Sequence, residues 1–202
     1  LDSMGNDLDV ANAARVSFDK ESEWELHDDL LFLPEKDERL IYYLAKHNHF
    51  TPFCHAQIKF RVTMPIYVAR QLAKHQVGGV VNEVSRRYVS TSPVLDAPKE
   101  WRKTAKNIKQ GSSDELVVMD AAMQAQIDKT LDACLVLYDD LLLKGVCPEQ
   151  ARVVIPICSE TTWIWTGSLV FFARVCKLRL DSHAQKETRD VAAMIQAICA
   201  DL

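Results

Sequence analysis

The stretch KHQVGGVVNEVSRRYV, residues 74–89, gathers groups suited to an anionic ligand. Glycines such as Gly78 and Gly79 let backbone N–H groups approach an anion closely, and the Arg86 or Arg87 guanidinium clamps a phosphate through two bonds. Ser85 adds a hydroxyl. Asn82 and Glu83 offer the donors and acceptors needed to read a base or sugar. A plainer reading also fits. Glu83 and Arg87 lie four residues apart in the favoured order, so the stretch also reads as a solvated loop closed by an ion pair. It matches no general phosphate-loop pattern.

Three further constellations stand beside it. HNHFTPFCH (47–55) places three histidines and a cysteine in nine residues. Its spacing does not fit a structural zinc site, so no metal is expected. His49 and Thr51 instead suit a helix-to-strand turn, either touching a ligand or capping and packing the helix end. KLRLDSHAQKE (177–187) sets Arg179 between two helices, with His183 and Gln185 expected in the first turn of the second, where a helix N-terminus favours anionic groups. The alternative is a simple N-cap from Asp181 or Ser182 with His183 solvated. Arg152, in QARVVIP, is a long cation among apolar neighbours that either pairs with an acid or binds phosphate. No identifiable base activates Ser85, which favours a binding role over a nucleophilic one.

The elements that must position these groups follow from periodicity and breakers. GNDLDVANAARVSF (5–18) reads as a helix capped by Asn6 or Asp7, with Val10, Ala13, Ala14 and Ser17 on one face. Residues 19–33 read as a surface loop. Pro34–Lys46 reads as a helix burying Leu40, Tyr43 and Leu44. HAQIKFRVTMP (55–65) alternates throughout, with Ala56, Ile58, Phe60, Val62 and Met64 on one face, as in a half-covered strand. Pro65 opens a helix that carries Gln71, Lys74 and His75 to its end, where the glycines break it. Residues 90–112 read as a loop. Ser113 is expected to cap a long helix from about Asp114 to Lys144, ended by Gly145. A short helix runs from Pro148 to Arg152, TTWIWTG is a strand, and two helices follow at 168–178 and 182–200. The class is α+β: a central, mainly antiparallel sheet flanked by helices, one of them long.

The chain of 202 residues, 48% hydrophobic, suits a single domain over 1–202. The domain is expected to be short of its N-terminal strand. A formal charge of −4 gives no expectation of nucleic-acid binding. Six irregularly spaced cysteines read as mostly buried thiols of a reducing cytoplasm. No run spans a membrane, and no signal peptide opens the chain.

Taken together, MGNDLDVANAARVSF, HNHFTPFCHAQIKFRVTMPIYVARQ, NEVSRRY, ARVVIP and LRLDSHAQKE resemble the flavin-dependent thymidylate synthases, in that family's order. The resemblance implies conversion of dUMP to dTMP, with methylenetetrahydrofolate as carbon donor and FAD, reduced by NADPH, as hydride source. It implies a homotetramer whose sites are built by more than one subunit. Arg179 looks like the catalytic arginine that polarises the uracil ring. Gln71, Lys74, Glu83, Ser85, Arg86, Arg87 and Arg152 resemble dUMP contacts. His49, Thr51, Lys74, His75, Gln76, Glu83, Ser168 and Arg174 resemble FAD contacts. The chain departs from the family at Lys74-His75-Gln76, where the family carries Arg-His-Arg, and its spacing to Ser85 is one residue longer. Two other classes remain open: a nucleotide-binding module without catalysis, and a zinc-binding structural protein.

Overall fold

The computed structural model describes residues 1–105 and 112–200. In chain order these form β1 (Asp2–Met4), α1 (Asp7–Arg15), β2 (Glu25–His27), β3 (Leu30–Phe32), α2 (Glu35–Lys46), β4 (Gln57–Pro65), α3 (Ile66–Leu72) and β5 (Gly79–Glu83). Then come β6 (Arg102–Thr104), β7 (Ser112–Leu116), α4 (Ala121–Leu143), α5 (Pro148–Ala151), β8 (Glu160–Ser168), α6 (Leu169–Arg179) and α7 (Lys186–Ala200). The main sheet has the order β1-β4-β8-β5, with β1 antiparallel to β4; β2–β3 and β6–β7 are separate antiparallel pairs. The α+β class is therefore as expected.

The chain divides into two compact units. The first comprises Leu1–Arg61, Gln76–Val81 and Ile164–Val175. Asn6 caps its α1: the side chain accepts from the Asp9 N–H, and the Asp9 carboxylate accepts from the Asn6 N–H, closing a reciprocal box. Asp37 on α2 is fully buried and paired with Arg15 on α1. Phe60, Trp165, Phe171 and Phe172 pack edge to face, with ring centroids 4.9–5.5 Å apart. The segment 19–33 is not all loop. It carries the β2–β3 hairpin, turned by Asp28 and Asp29 at positive φ, which two short acidic side chains tolerate and which disguised the hairpin as a charged linker. Of the α2 residues expected inside, Leu44 is buried, but Tyr43 is 52% exposed.

The second unit comprises Val62–His75, Asn82–Trp163 and Cys176–Leu202, its last two residues lying outside those described. Its α3 is buried through Val68, Ala69 and Leu72, and α7 through Val191, Ala192 and Ile195. Pro65 opens α3, but the helix ends at Leu72, well before the glycines. Successive i→i−3 bonds from Lys74 N–H to Gln71 O and from His75 N–H to Leu72 O tighten its last turn and close it. The 74–89 stretch holds β5 as well as loop.

The long helix starts later than expected, at Ala121. Ser112–Leu116 pairs as β7 with β6, and Asp120, not Ser113, supplies the cap by accepting from the Met123 N–H at 2.7 Å. Tertiary pairing outweighed the local capping signal there. Gly145, at φ +85, ends the helix: its N–H donates to the Leu142 carbonyl and the Val146 N–H donates to the Leu141 carbonyl. Residues 106–111 of the expected 90–112 loop lie outside those described. His183 and Gln185 precede α7 and are not in its first turn. The Gln185 carbonyl accepts the Arg189 N–H, the first intrahelical bond. Among the cysteines, Cys158 and Cys176 are buried, Cys54, Cys134 and Cys199 half-buried and Cys147 exposed; all are free thiols.

Candidate functional site

Of the groups in 74–89 suited to an anion, Ser85 and Arg86 line one cavity of the second unit, whereas Gly78 and Gly79 lie in the first unit. Glu83 ends β5, and Ser85 and Arg86 follow it. With Arg152, Ile66 and Thr161 they line this cavity, of about 390 Å³. The buried Thr161 hydroxyl donates to Glu83 Oε1 at 2.6 Å and fixes the carboxylate in the wall. Among the described residues the Glu83–Arg87 ion pair of the plainer reading is not made. Arg87 donates to Glu149 Oε2 at 3.1 Å, an exposed pair, because the chain turns between them and Tyr88 N–H closes back on Ser85 O. Arg152, exposed just beyond α5, donates through Nε to the Glu149 carbonyl at 3.2 Å.

A second cavity in the same unit, of about 460 Å³, is lined by Gln71, Arg102, Arg179, His183 and Gln185. Arg179 is the last residue of α6. Its Nε donates to His75 Nε2 at 2.8 Å, and its Nη2 donates to the Gln71 carbonyl at 2.8 Å. Burial, and next the Arg179 charge, push His75 below its ordinary pKa. A neutral ring with its proton on Nδ1 is what lets Nε2 accept from a guanidinium. Asp181 accepts from the His183 N–H and contacts its ring. Those bonds hold the Asp181 carboxyl below the usual range.

The two cavities share no lining residue among those described, so Arg152 and Arg179 face different spaces within one chain. Lys74 and Gln76 are exposed and line neither.

A third cavity, of about 640 Å³, lies in the first unit. It is walled by Phe18, Tyr43 and Phe50, with His49, Asn48 and Thr51 supplying polar edges. The Tyr43 and His47 rings lie 4.3 Å apart at a 42° tilt, and Arg174 lies 5.2 Å over the Phe50 ring. Ser168 is buried and its Oγ accepts from the Phe171 N–H at 3.2 Å, so it caps α6. Among the described residues no three metal-ligating side chains cluster, and His47 and His49 meet through ring contacts.

Sequence reasoning missed Arg102, Glu187 and Thr161. Arg102 sat in a stretch read as loop. Its partner Glu187 is 85 residues away, a pairing with no local signature.

The model of the family described as "Thymidylate synthase complementing protein" matches residues 1–202. Flavin-dependent thymidylate synthase of Thermosipho africanus is 35% identical over 202 residues, covering 98% of this chain and 83% of that protein. The enzyme of the same name from Thermus thermophilus is 36% identical over 198 residues, covering 98% and 69%. Among solved structures, a UMP/dUMP methylase from Streptomyces cacaoi bound with 5-Br dUMP superposes with a TM-score of 0.81. It is 27% identical, with 100% of this chain and 88% of that chain covered. On a match along its whole length, this chain belongs to the thymidylate synthase complementing protein family, whose relatives named here are flavin-dependent thymidylate synthases.

Proposed function

We propose that the chain is a methyltransferase that makes dTMP from dUMP, taking its carbon from methylenetetrahydrofolate and its reducing equivalents from NADPH through FAD. The observation that carries this reading is the Arg179 guanidinium, fixed on two sides by His75 Nε2 and the Gln71 carbonyl at a cavity wall. Its rigid planar charge suits a pyrimidine ring on which negative charge develops.

The residues present fit the flavin. The cavity of the first unit offers the flat aromatic walls of Tyr43 and Phe50, which an isoalloxazine ring requires, and polar groups at its edges in His49 and Thr51. FAD bound there supplies hydride chemistry. Arg174 holds a cation against the same aromatic wall, suited to a phosphate or to a ring carbonyl. The resemblance also implies flavin contacts from Lys74, His75, Gln76, Glu83 and Ser168, none of which lines that cavity.

Ser85, Arg86 and Arg152 take the phosphate of dUMP, joined by Arg87 once it leaves Glu149. Gln71 and Glu83 take its base and sugar, with Lys74 beside them. Within one chain Glu83, Ser85, Arg86 and Arg152 line one cavity and Gln71 and Arg179 another, which supports a homotetramer whose sites draw on more than one subunit. The long α4, with Val136, Leu137 and Leu143 exposed, suits a role in such contacts. Six free thiols suit a cytoplasmic setting.

The test is spectroscopic. Purified protein should show flavin absorbance that NADPH bleaches and that dUMP with methylenetetrahydrofolate restores, with dTMP formed. Arg179→Ala should abolish turnover and keep the flavin. A colourless protein that binds dUMP without making dTMP would leave a binding module instead, and an Arg179→Ala variant turning over normally would remove Arg179 from the chemistry.

A further inference from the structure

A part-buried ion pair closes one end of a hydrogen-bonded chain in the second unit. Arg102 donates through Nη2 to both carboxylate oxygens of Glu187, at 2.8 and 2.9 Å. Gln185 Nε2 donates to Glu187 Oε2 at 2.8 Å, and Gln71 Nε2 donates to Gln185 Oε1 at 2.5 Å. Gln71 also supplies the carbonyl held by Arg179.

The direction of every bond in this chain is forced. An ionised carboxylate only accepts. Gln185 must therefore turn its NH2 to Glu187, which leaves its carbonyl for Gln71. Gln71 must in turn spend its NH2 on Gln185, and the planar amide then aims Oε1 away from Gln185. Flipping either amide would set two oxygens or two NH2 groups against each other. Burial pushes the Glu187 carboxyl up. The bonds from its own backbone N–H, Arg102 and Gln185 outweigh that and hold it below the usual range, so it stays ionised near neutral pH.

We infer that the Glu187–Gln185–Gln71 chain selects the base. It holds Gln71 Oε1 as an acceptor for the N3–H of uracil, beside the Arg179 donors for a ring carbonyl, and so favours uridylates over cytidylates. This rests on the reading of that cavity as the uracil site. Uracil presents an N–H at position 3 between two carbonyls. Cytosine presents a lone pair there, beside an exocyclic amine. A fixed acceptor repels the cytosine edge, whereas a freely flipping amide would satisfy either ring. Glu187 and Arg102 act here as positioning residues, since they work through Gln185 and Gln71.

The experiment is calorimetric titration of the flavin-loaded protein with dUMP and with dCMP, for the wild type, Glu187→Gln and Gln185→Leu. The ratio of the two dissociation constants is the readout, because phosphate contacts and general loosening of the fold affect both nucleotides alike. The wild type should favour dUMP. Each variant should lose about tenfold of that preference, the worth of one hydrogen bond. Gln185→Leu removes the amide without stranding a charge, so it carries the test if Glu187→Gln fails to fold. An unchanged ratio in a variant that still binds dUMP overturns the selection role alone. Failure of the wild type to bind dUMP overturns the reading of the cavity itself.

Discussion

Arg179 and His75 share one hydrogen bond, 2.8 Å from Nε to Nε2, and it exists only while the imidazole is neutral. Burial first, and the Arg179 charge second, depress the His75 pKa from its ordinary 6.5. The sign follows. A histidine with a lowered folded pKa binds fewer protons when folded, so its contribution is present above pH 6.5 and is lost as the pH falls through the lower folded value. Thermal melts from neutral to acid pH should show the wild type losing stability over that window. His75→Gln, which accepts from Arg179 without titrating, should lose less. Parallel curves for the two proteins would contradict this.

Asp37 is fully buried, and Arg15 is its partner, with Nε donating to Oδ1 at 2.6 Å. Its other oxygen has no hydrogen-bond partner among the described residues. Removing the cation strands a carboxylate in the interior. Arg15→Leu should therefore cost about 3–5 kcal/mol in denaturant unfolding, and adding Asp37→Leu should recover most of the loss. A single-variant loss under about 1 kcal/mol would show that water reaches the carboxylate.

The Phe171 ring fills the space that side chains would need at two glycines. A Cβ at Gly79 would stand 2.4 Å from Cζ, and one at Gly167 would stand 2.3 Å from Cδ1. The ring is 2% exposed and wedged against Trp165 and Phe172, so it cannot swing aside. Gly79→Ala should cost about 1–3 kcal/mol by overpacking, and Phe171→Leu should relieve part of it. The longer spacing between Lys74 and Ser85 thus passes through Gly78 at φ +91 and Gly79 beneath this ring.

Arg152 and Arg87 should differ. Arg152 lines the cavity of Ser85 and Arg86, so Arg152→Ala should weaken dUMP binding by about ten- to a hundredfold, the worth of a charged hydrogen bond. Arg87 is held by Glu149 in an exposed pair worth about 0–1 kcal/mol, and Glu149→Gln frees it, so that variant should bind dUMP up to about fivefold more tightly. Calorimetry checks both. Weaker binding by the Glu149 variant would show that the pair orders the site.

Local chemistry was legible wherever one element wrote its own pattern. The alternation of residues 55–65 gave β4, whose Ile58, Phe60 and Met64 are buried. Asn6 and Gly145 marked the ends of α1 and α4. Pairings between distant segments were not legible. Ser113 carried a capping signal, yet β6 drew Ser112–Leu116 into a strand, because a ladder of backbone hydrogen bonds outweighs one cap. Residues 19–33 looked like a charged linker until Asp28 and Asp29 adopted positive φ and folded β2 onto β3.

The same division runs through the site. The sequence by itself determined which groups were available: Ser85 and the arginines as groups suited to an anion, and Gln71 and Arg179 as groups that the family resemblance linked to a nucleotide. Only the tertiary structure decided how they are oriented. It set Arg152 and Arg179 in different cavities, turned Arg87 to Glu149 and put the Arg102–Glu187 pair behind Gln185. A side chain's type fixes what it can donate or accept. Which way it donates depends on its neighbours, and here those neighbours come from segments as much as 114 residues apart.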